Sequence, residues 1–445
     1  MSATTDTSRM SMSRPAGALL PSLGTRAGLW LNAAAAVIVV LAAVFYLVLG
    51  LNWRNQPFPG VMLTRTLTVD SSRSVAPEGW TGMNAGLQLG DRIIGVNDQM
   101  LPADLDRAQD AYNALIRSLS PGDRVTVQFD RPAPDDSLTL ADGVQCTLDN
   151  GEGHCAAAFA LMRFPDTDFF AAFIVPFVFG LLTLGIGVAV LVLRARKPTA
   201  QVVTGVCLTT SLFMLGIFDT NTTHQLTPLW VIGTTFVGAV TAMMALIFPV
   251  NLPIVLRRPG IQWLPIALGA LVAALILVVY YSQPEADPLW IAPLAGFAGM
   301  VFLTALLLRR RIAAATPIIR DQTNTVLIGM LMALAVGIVW VISLVLRVVF
   351  GYDGISLNTS AAAPFLILPP LSMAYAVLQY RSLDTDRIVS QGFTYTVMLL
   401  ALLVGYFLLV FSASLIAGEA VGPSNPILLA ILIFLMAVLF VPVRT

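Results

Sequence analysis

The sequence predicts a membrane all-α helical bundle of about ten transmembrane helices, with a small α/β domain inserted after the first of them. Three observations predict it. Apolar residues make up 57% of the chain and charged residues 11%, where an ordinary soluble domain carries about 25% charged residues. The apolar residues come in ten blocks, each of the order of the 20 residues that a spanning helix needs, and none contains Lys, Arg, Asp or Glu. Basic residues gather on alternate connections and acidic residues on the others. Buried core helices of a large soluble protein would need far more polar surface than this chain has.

In order, the blocks are Ala27–Gly50, Phe169–Leu193, Val202–Phe218, Trp230–Pro249, Trp263–Tyr281, Leu289–Leu308, Thr325–Leu346, Ala361–Leu378, Phe393–Leu415 and Pro426–Val443. A charge at mid-membrane costs on the order of 2.5–3.5 kcal/mol even on a lenient insertion scale, so their purity is what lipid demands. With the amino terminus placed in the cytoplasm, the inner segments hold Arg9, Arg14, Arg26, Arg194, Arg196, Lys197, Arg257, Arg258, Arg309, Arg310, Arg311, Arg320, Arg381, Arg387 and Arg444. The short outer loops carry Asp219, Glu285, Asp287, Asp353 and Glu419, with Arg347 the exception, near Asp353. The positive-inside rule then puts both termini in the cytoplasm and residues 51–168 outside it. Arg26 ahead of an apolar run resembles a secretory signal, but Ala33–Ala36 lie at the start of the run and not at a cleavage position, so an uncleaved anchor over 27–50 is expected after a tail over 1–26. Residues 169–445 then form a nine-helix bundle that ends in the cytoplasm.

The segment from Leu51 to Asp168 has soluble composition and suffices for one small domain. Gly60–Val69 reads as an extended piece. Gly86 and Gly90 supply turns ahead of a buried strand at Ile93, Ile94 and Val96. A helix over about Leu105–Leu119 presents Ala108, Tyr112, Leu115 and Leu119 on one side. Pro121-Gly122-Asp123 turns the chain into Arg124–Asp130, which alternates as a half-buried strand does. Farther on, Asn150-Gly151 has the chemistry of a two-residue hairpin turn, and that turn sets Cys146 opposite Cys155 at roughly 4.5 Å, the short end of disulfide geometry. An oxidising compartment permits the bond, with two free thiols as the alternative. Cys207, inside the third block, reads as packing.

That order of pieces resembles the PDZ domains of bacterial extracytoplasmic proteins. Ala85-Gly-Leu-Gln-Leu-Gly-Asp-Arg-Ile93 and Pro121-Gly-Asp123 match their hallmarks over about Phe58–Asp130, with Asp98 where Gly is more usual. The resemblance implies a peptide or envelope-protein ligand added as a strand beside Phe58, Gly60, Val61 and Met62, with Tyr112 and Ile116 on the other wall. Pro59 removes one backbone donor from that loop, and a PDZ fold serving as a spacer or docking contact is the other reading.

His-Glu-x-x-His is absent, the two histidines are His154 and His224, and no phosphate-gripping loop is present. No catalytic site, metal site or cofactor is expected from these residues, and no nucleic acid; membrane lipid is the expected surrounding. The spans hold scattered Ser, Thr, Asn and Pro and no ionisable group of the kind ion-coupled transporters keep at mid-membrane, while Pro176 can kink the second. A permease with an outer docking domain is the rival reading.

Pro369–Val389 leaves the membrane at Tyr380-Arg381, crosses the inner surface with Asp384, Asp386 and Arg387, and re-enters near Phe393, as an interfacial elbow would. Ala376, Tyr380, Arg381, Asp384 and Asp386 also resemble a pattern in the multi-span input regions of bacterial sensor histidine kinases, with Leu383 displaced by one position. The resemblance implies a bacterial cytoplasmic membrane, a homodimer, an elbow that transmits the signal, and a cytoplasmic output domain joined where Val441-Pro-Val-Arg-Thr445 stops. The phosphoacceptor and ATP-binding motifs that such a kinase needs are not among these 445 residues.

Overall fold

The computed structural model describes residues 20–70, 74–76, 78–132, 144–149, 152–283, 287–312, 316–350 and 359–379. Among them, eight helices are long and apolar enough to cross a membrane: Arg26–Arg54, Asp166–Arg194, Pro198–Asn221, Thr227–Ile247, Pro259–Ser282, Ile291–Ile312, Pro317–Leu346 and Ser360–Leu378. They coincide with the first eight apolar blocks. The ninth and tenth blocks, and the elbow residues Tyr380, Arg381, Asp384, Asp386 and Arg387, lie outside the described residues.

The first helix, α1 (Leu20–Arg54), leads into the inserted domain. Within it β1 (Pro57–Phe58) precedes α2 (Thr81–Asn84), β2 (Arg92–Val96), β3 (Gln99–Met100), α3 (Leu105–Arg117), β4 (Arg124–Pro132), β5 (Gln145–Asp149), β6 (Glu152–Ala160) and β7 (Met162–Arg163). The antiparallel order β3-β2-β4-β6-β5 makes one sheet, and β1 pairs with β7 in a second, closing the domain where it joins the membrane helices. Buried residues alternate along β4, and Val125, Val127 and Phe129 meet Ala108, Tyr112 and Ile116 of α3 in the core. The α3 helix starts at Asp104, whose side chain accepts from the Arg107 amide at 3.0 Å. Asn97 and Asp98 form the two-residue turn between β2 and β3, with Asn97 at φ 54°, a conformation Asn tolerates well.

The motif acid Asp91 has a structural task. Its Oδ2 accepts from the Gln88 amide at 2.7 Å and, with Oδ1, receives a two-pronged bond from buried Arg131 at 2.6 and 2.8 Å. Arg131 also donates to the Gly86 carbonyl at 2.7 Å, tying the glycine turn to the end of β4.

Cys146 pairs with Cys155 across β5 and β6 at a Cα separation of 4.1 Å, and the two are joined by a disulfide. With a sequence separation of 9, loop closure assigns the bond about 2–3 kcal/mol. Replacing both cysteines by serine should lower the domain's stability by about that amount, read as a downward shift of its denaturant midpoint in the purified chain.

One stretch departs from its sequence reading. Gly60–Val69 is not a single extended piece: it folds back, with Leu63 bridging Val69, the Thr64 amide donating to the Thr68 carbonyl at 2.8 Å and Leu67 at φ 58°. The hydroxyls of Thr64, Thr66 and Thr68 form a chain at 2.8 and 3.0 Å that holds the turn. The threonine hydroxyls offer the backbone a local turn in place of an extended run.

The chain re-enters the bundle through α4 (Asp166–Phe169), a π-helical turn (Phe170–Ile174) and α5 (Val175–Arg194). The π turn lies just ahead of Pro176, whose ring and missing N–H disturb the regular ladder. There follow α6 (Pro198–Gly216), α7 (Thr227–Ile247), the short α8 (Pro253–Arg257), α9 (Leu264–Ser282), α10 (Ile291–Ile312), α11 (Pro317–Phe350), α12 (Thr359–Leu366) and α13 (Leu368–Gln379). Helices α6 and α7 are the most enclosed, while α1 and α9 turn leucines and valines outward, as helices facing lipid do. At the contact between α7 and α10, a Cβ on Gly238 would run into the backbone of Ala295, and one on Gly299 into that of Gly238. Small residues let those backbones touch, the usual means of helix association in lipid.

Candidate functional site

The domain and the bundle meet in an aromatic seam. Trp53 at the end of α1, Phe58 of β1, Trp80, Phe164 and Phe218 pack edge to face, or tilted for Trp80 on Phe164, with centroids 4.8–6.3 Å apart. Asp168, 2% exposed at the head of the second span, accepts from the Val75 amide at 2.5 Å, the Ala76 amide at 3.2 Å, Trp80 Nε1 at 2.7 Å and the Ser74 hydroxyl at 3.0 Å. One carboxylate thus fixes the 74–80 segment to a membrane helix.

Beside this seam the turn 63–70 reaches over the end of the bundle. Arg65 Nη1 donates to the carbonyl of Tyr280 at 3.1 Å, and its guanidinium lies 5.0 and 4.9 Å from the ring centroids of Tyr280 and Tyr281. This is the last turn of α9, where exposed carbonyls and the helix dipole favour a cation. Across from it, the α6–α7 connection is organised by Asp219, which accepts from the Gln225 and Leu226 amides at 3.1 and 2.8 Å and from the Thr223 hydroxyl. That turn places His224 at φ 54° with Nε2 3.1 Å from the Leu63 carbonyl. Burial lowers the His224 pKa, so the ring is neutral; bonding to a carbonyl puts the proton on Nε2 and leaves Nδ1 an acceptor with no partner.

Under this turn lies a cavity of about 540 Å³, within the range of small-molecule sites. Its mouth is polar: Thr64, Arg65 and Asp70 from the domain, and Asn221, His224 and Asp287 from the bundle loops. Its body is apolar and aromatic, with Phe213, Trp230, Val237, Phe297, Met300 and Trp340 among its walls. Along the span Pro198–Asn221 it runs from Asn221 down to Val206, which at the helical rise per residue is about 20 Å, or two-thirds of the hydrocarbon thickness. Asp287 receives a bond from the Leu289 amide at 3.1 Å. Solvent reaches it through the mouth, yet the protein crowded around it raises its pKa, and the carboxylate of Asp70 adds to the rise.

The residues that the PDZ resemblance assigns to a peptide groove are buried in the structure. Phe58, Val61, Met62, Tyr112 and Ile116 are each 5% exposed or less, and Gly60 is buried too. Val61, Tyr112 and Ile116 belong to the domain core, Phe58 and Met62 to the seam, and the Gly60 carbonyl accepts from the Met83 amide at 3.1 Å. A peptide beside them would have to displace these partners. Sequence reasoning did not find the mouth residues Arg65, Asp70, His224 and Asp287, nor the anchor Asp168. Asp287 was read as a marker of sidedness and His224 as a loop residue; the one available signal was that His224 is a histidine in a loop otherwise lacking bases. Among the described residues, no group of three His, Cys, Asp or Glu is placed to hold a metal.

No family model, curated protein or solved structure matches the chain. What the fold itself shows is a multi-span membrane protein with a small α/β domain inserted between its first two spans.

Proposed function

We propose that this chain is the input region of a membrane receptor, in which a ligand held between the turn 63–70 and the bundle changes how the helices pack. The observation that carries the reading is the shared cavity: its mouth is built from the inserted domain together with the bundle loops, and its walls from α6, α7 and α9 to α13. An occupant there contacts both parts, and it biases the bundle if its affinity differs between two arrangements. The motif resemblance to input regions of bacterial sensor histidine kinases supports the same reading, with a PDZ-like domain outside the cytoplasm, both termini inside, a homodimer, and output through the 380–391 elbow. A permease is the second reading, favoured by the depth of the cavity in the membrane.

The two part on a tethering experiment. With Arg65→Cys and Tyr281→Cys bridged by a short bismaleimide, which adds across both thiols, in the full chain, a receptor should show altered hydrogen exchange at the far end of α10 and the start of α11, residues 305–325, relative to the unbridged protein. Unchanged exchange there would refute coupling between the turn and the bundle.

A further inference from the structure

The inserted domain stands on the bundle at two places of different kinds. The chain passes between the two parts twice, out along 54–58 and back along 162–166, and β1 pairs with β7 so that both passages lie side by side at the aromatic seam. There Phe58, Trp80, Phe164 and Phe218 are each 5% exposed or less, and Asp168 holds the 74–80 segment, so this footing excludes water. The turn 63–70 is the other footing, and it is polar. Half-buried Arg65 and His224 meet the carbonyls of Tyr280 and Leu63, each at 3.1 Å, and water can take over such bonds once the surfaces part. The turn itself belongs to the domain: Leu67 and Val69 lie in its core, the Val69 amide donates to the Asp91 carbonyl at 2.8 Å, and the Leu67 carbonyl accepts from the Ile93 amide at 3.0 Å. It therefore moves with the domain and not on its own.

We propose that the inserted domain is a lid, pivoting on the aromatic seam so that the turn 63–70 lifts from His224 and Tyr280 and opens the cavity beneath it. Thr64, Arg65, Thr66 and Asp70 of the turn line the mouth, so lifting it exposes the cavity to water on the domain's side of the membrane. The seam is the hinge because both covalent passages and the best-packed contacts lie there, and a pivot at the turn would have to tear them apart. The lid rests on the cavity being the receptor's ligand site, and adds how that site is reached. A ligand that touches the turn and the walls together favours the closed arrangement by its differential affinity.

Thiol labelling of Ile217→Cys, in the full chain held in a lipid nanodisc, tests this. Ile217 lines the cavity about one helical turn below Asn221, and a sulfonated maleimide, which the hydrocarbon of the bilayer excludes, reaches that position through an opened mouth. The labelling rate at position 217, read by peptide mass, is expected to rise about tenfold with Arg65→Ala, which removes a charged donor. His224→Asn should raise it too, because Asn suits φ 54° but is too short to reach the Leu63 carbonyl. Hydrogen exchange at Val75 and Ala76, which Asp168 holds at the seam, should stay slow in both variants. A labelling rate that either variant leaves unchanged would overturn the lid. So would exchange at Val75 and Ala76 that quickens along with labelling, since the domain would then leave the bundle whole and not pivot. The receptor reading fails separately: labelling that responds to both variants, beside exchange at 305–325 that ignores the cross-linked turn, sinks the receptor alone, whereas unchanged labelling beside altered exchange there sinks the lid alone.

Discussion

Asp168→Ala is expected to release the inserted domain from the second span while leaving the domain's own core intact. The carboxylate receives four bonds, and two of the donors, the Ala76 amide and Trp80 Nε1, are buried with it. An orphaned buried donor costs about 1–3 kcal/mol, more when the lost partner was charged, so the seam should lose about 3–5 kcal/mol. The core of the domain is a separate cluster around Val127 and Phe129 that makes no use of Asp168. Hydrogen exchange should therefore quicken at Val75 and Ala76 and stay slow along β4, and the emission of Trp80 should move to the red as water reaches it. Uniform loss of protection through β4 would mean that the seam and the domain fold as one unit. Unchanged exchange at Val75 and Ala76 would mean that water replaces the carboxylate without cost.

This anchor marks where the sequence ceased to be readable. The spans were legible because lipid tolerates no charge within them, and a block such as Val202–Phe218 announces itself by what it lacks. The pairing of Cys146 with Cys155 was legible because a two-residue turn fixes register, and the core-facing side of α3 because Ala108, Tyr112, Leu115 and Leu119 recur at helical spacing. The same periodicity also explains what was opaque: an apolar residue that fills a core and one that lines a groove look alike, so Tyr112 and Ile116 could be assigned to a helix face but not to a void. Asp168, Arg65, His224 and Asp287 each lie in a connection where charge is ordinary. Their roles come from meeting residues some 90 to 215 positions away, as Asp168 meets Val75 and Arg65 meets Tyr280. The fold-back at 63–70 depends on three threonine hydroxyls and a left-handed Leu67, local choices that an extended reading of the segment conceals.

The second large effect is expected at Gly238. Helices α7 and α10 approach through Gly238, Ala295 and Gly299, where backbone lies on backbone, and the obstacle to a side chain is therefore main chain and not a movable side-chain tip. Overpacking of an ordinary core costs about 1–3 kcal/mol; Gly238→Leu should reach or exceed the top of that range, because relief requires the two helices to part along their length. Their neighbours Val237 and Phe297 line the cavity from the same two helices, so parting them widens the site as well as weakening the bundle. Gly238→Ala, the smallest possible intrusion, should show the weakening in milder form, as a lower thermal midpoint in detergent. A Gly238→Leu chain that melts where the unaltered protein does would show that α7 and α10 are free to slide apart, and that the bundle does not depend on their close contact for its shape.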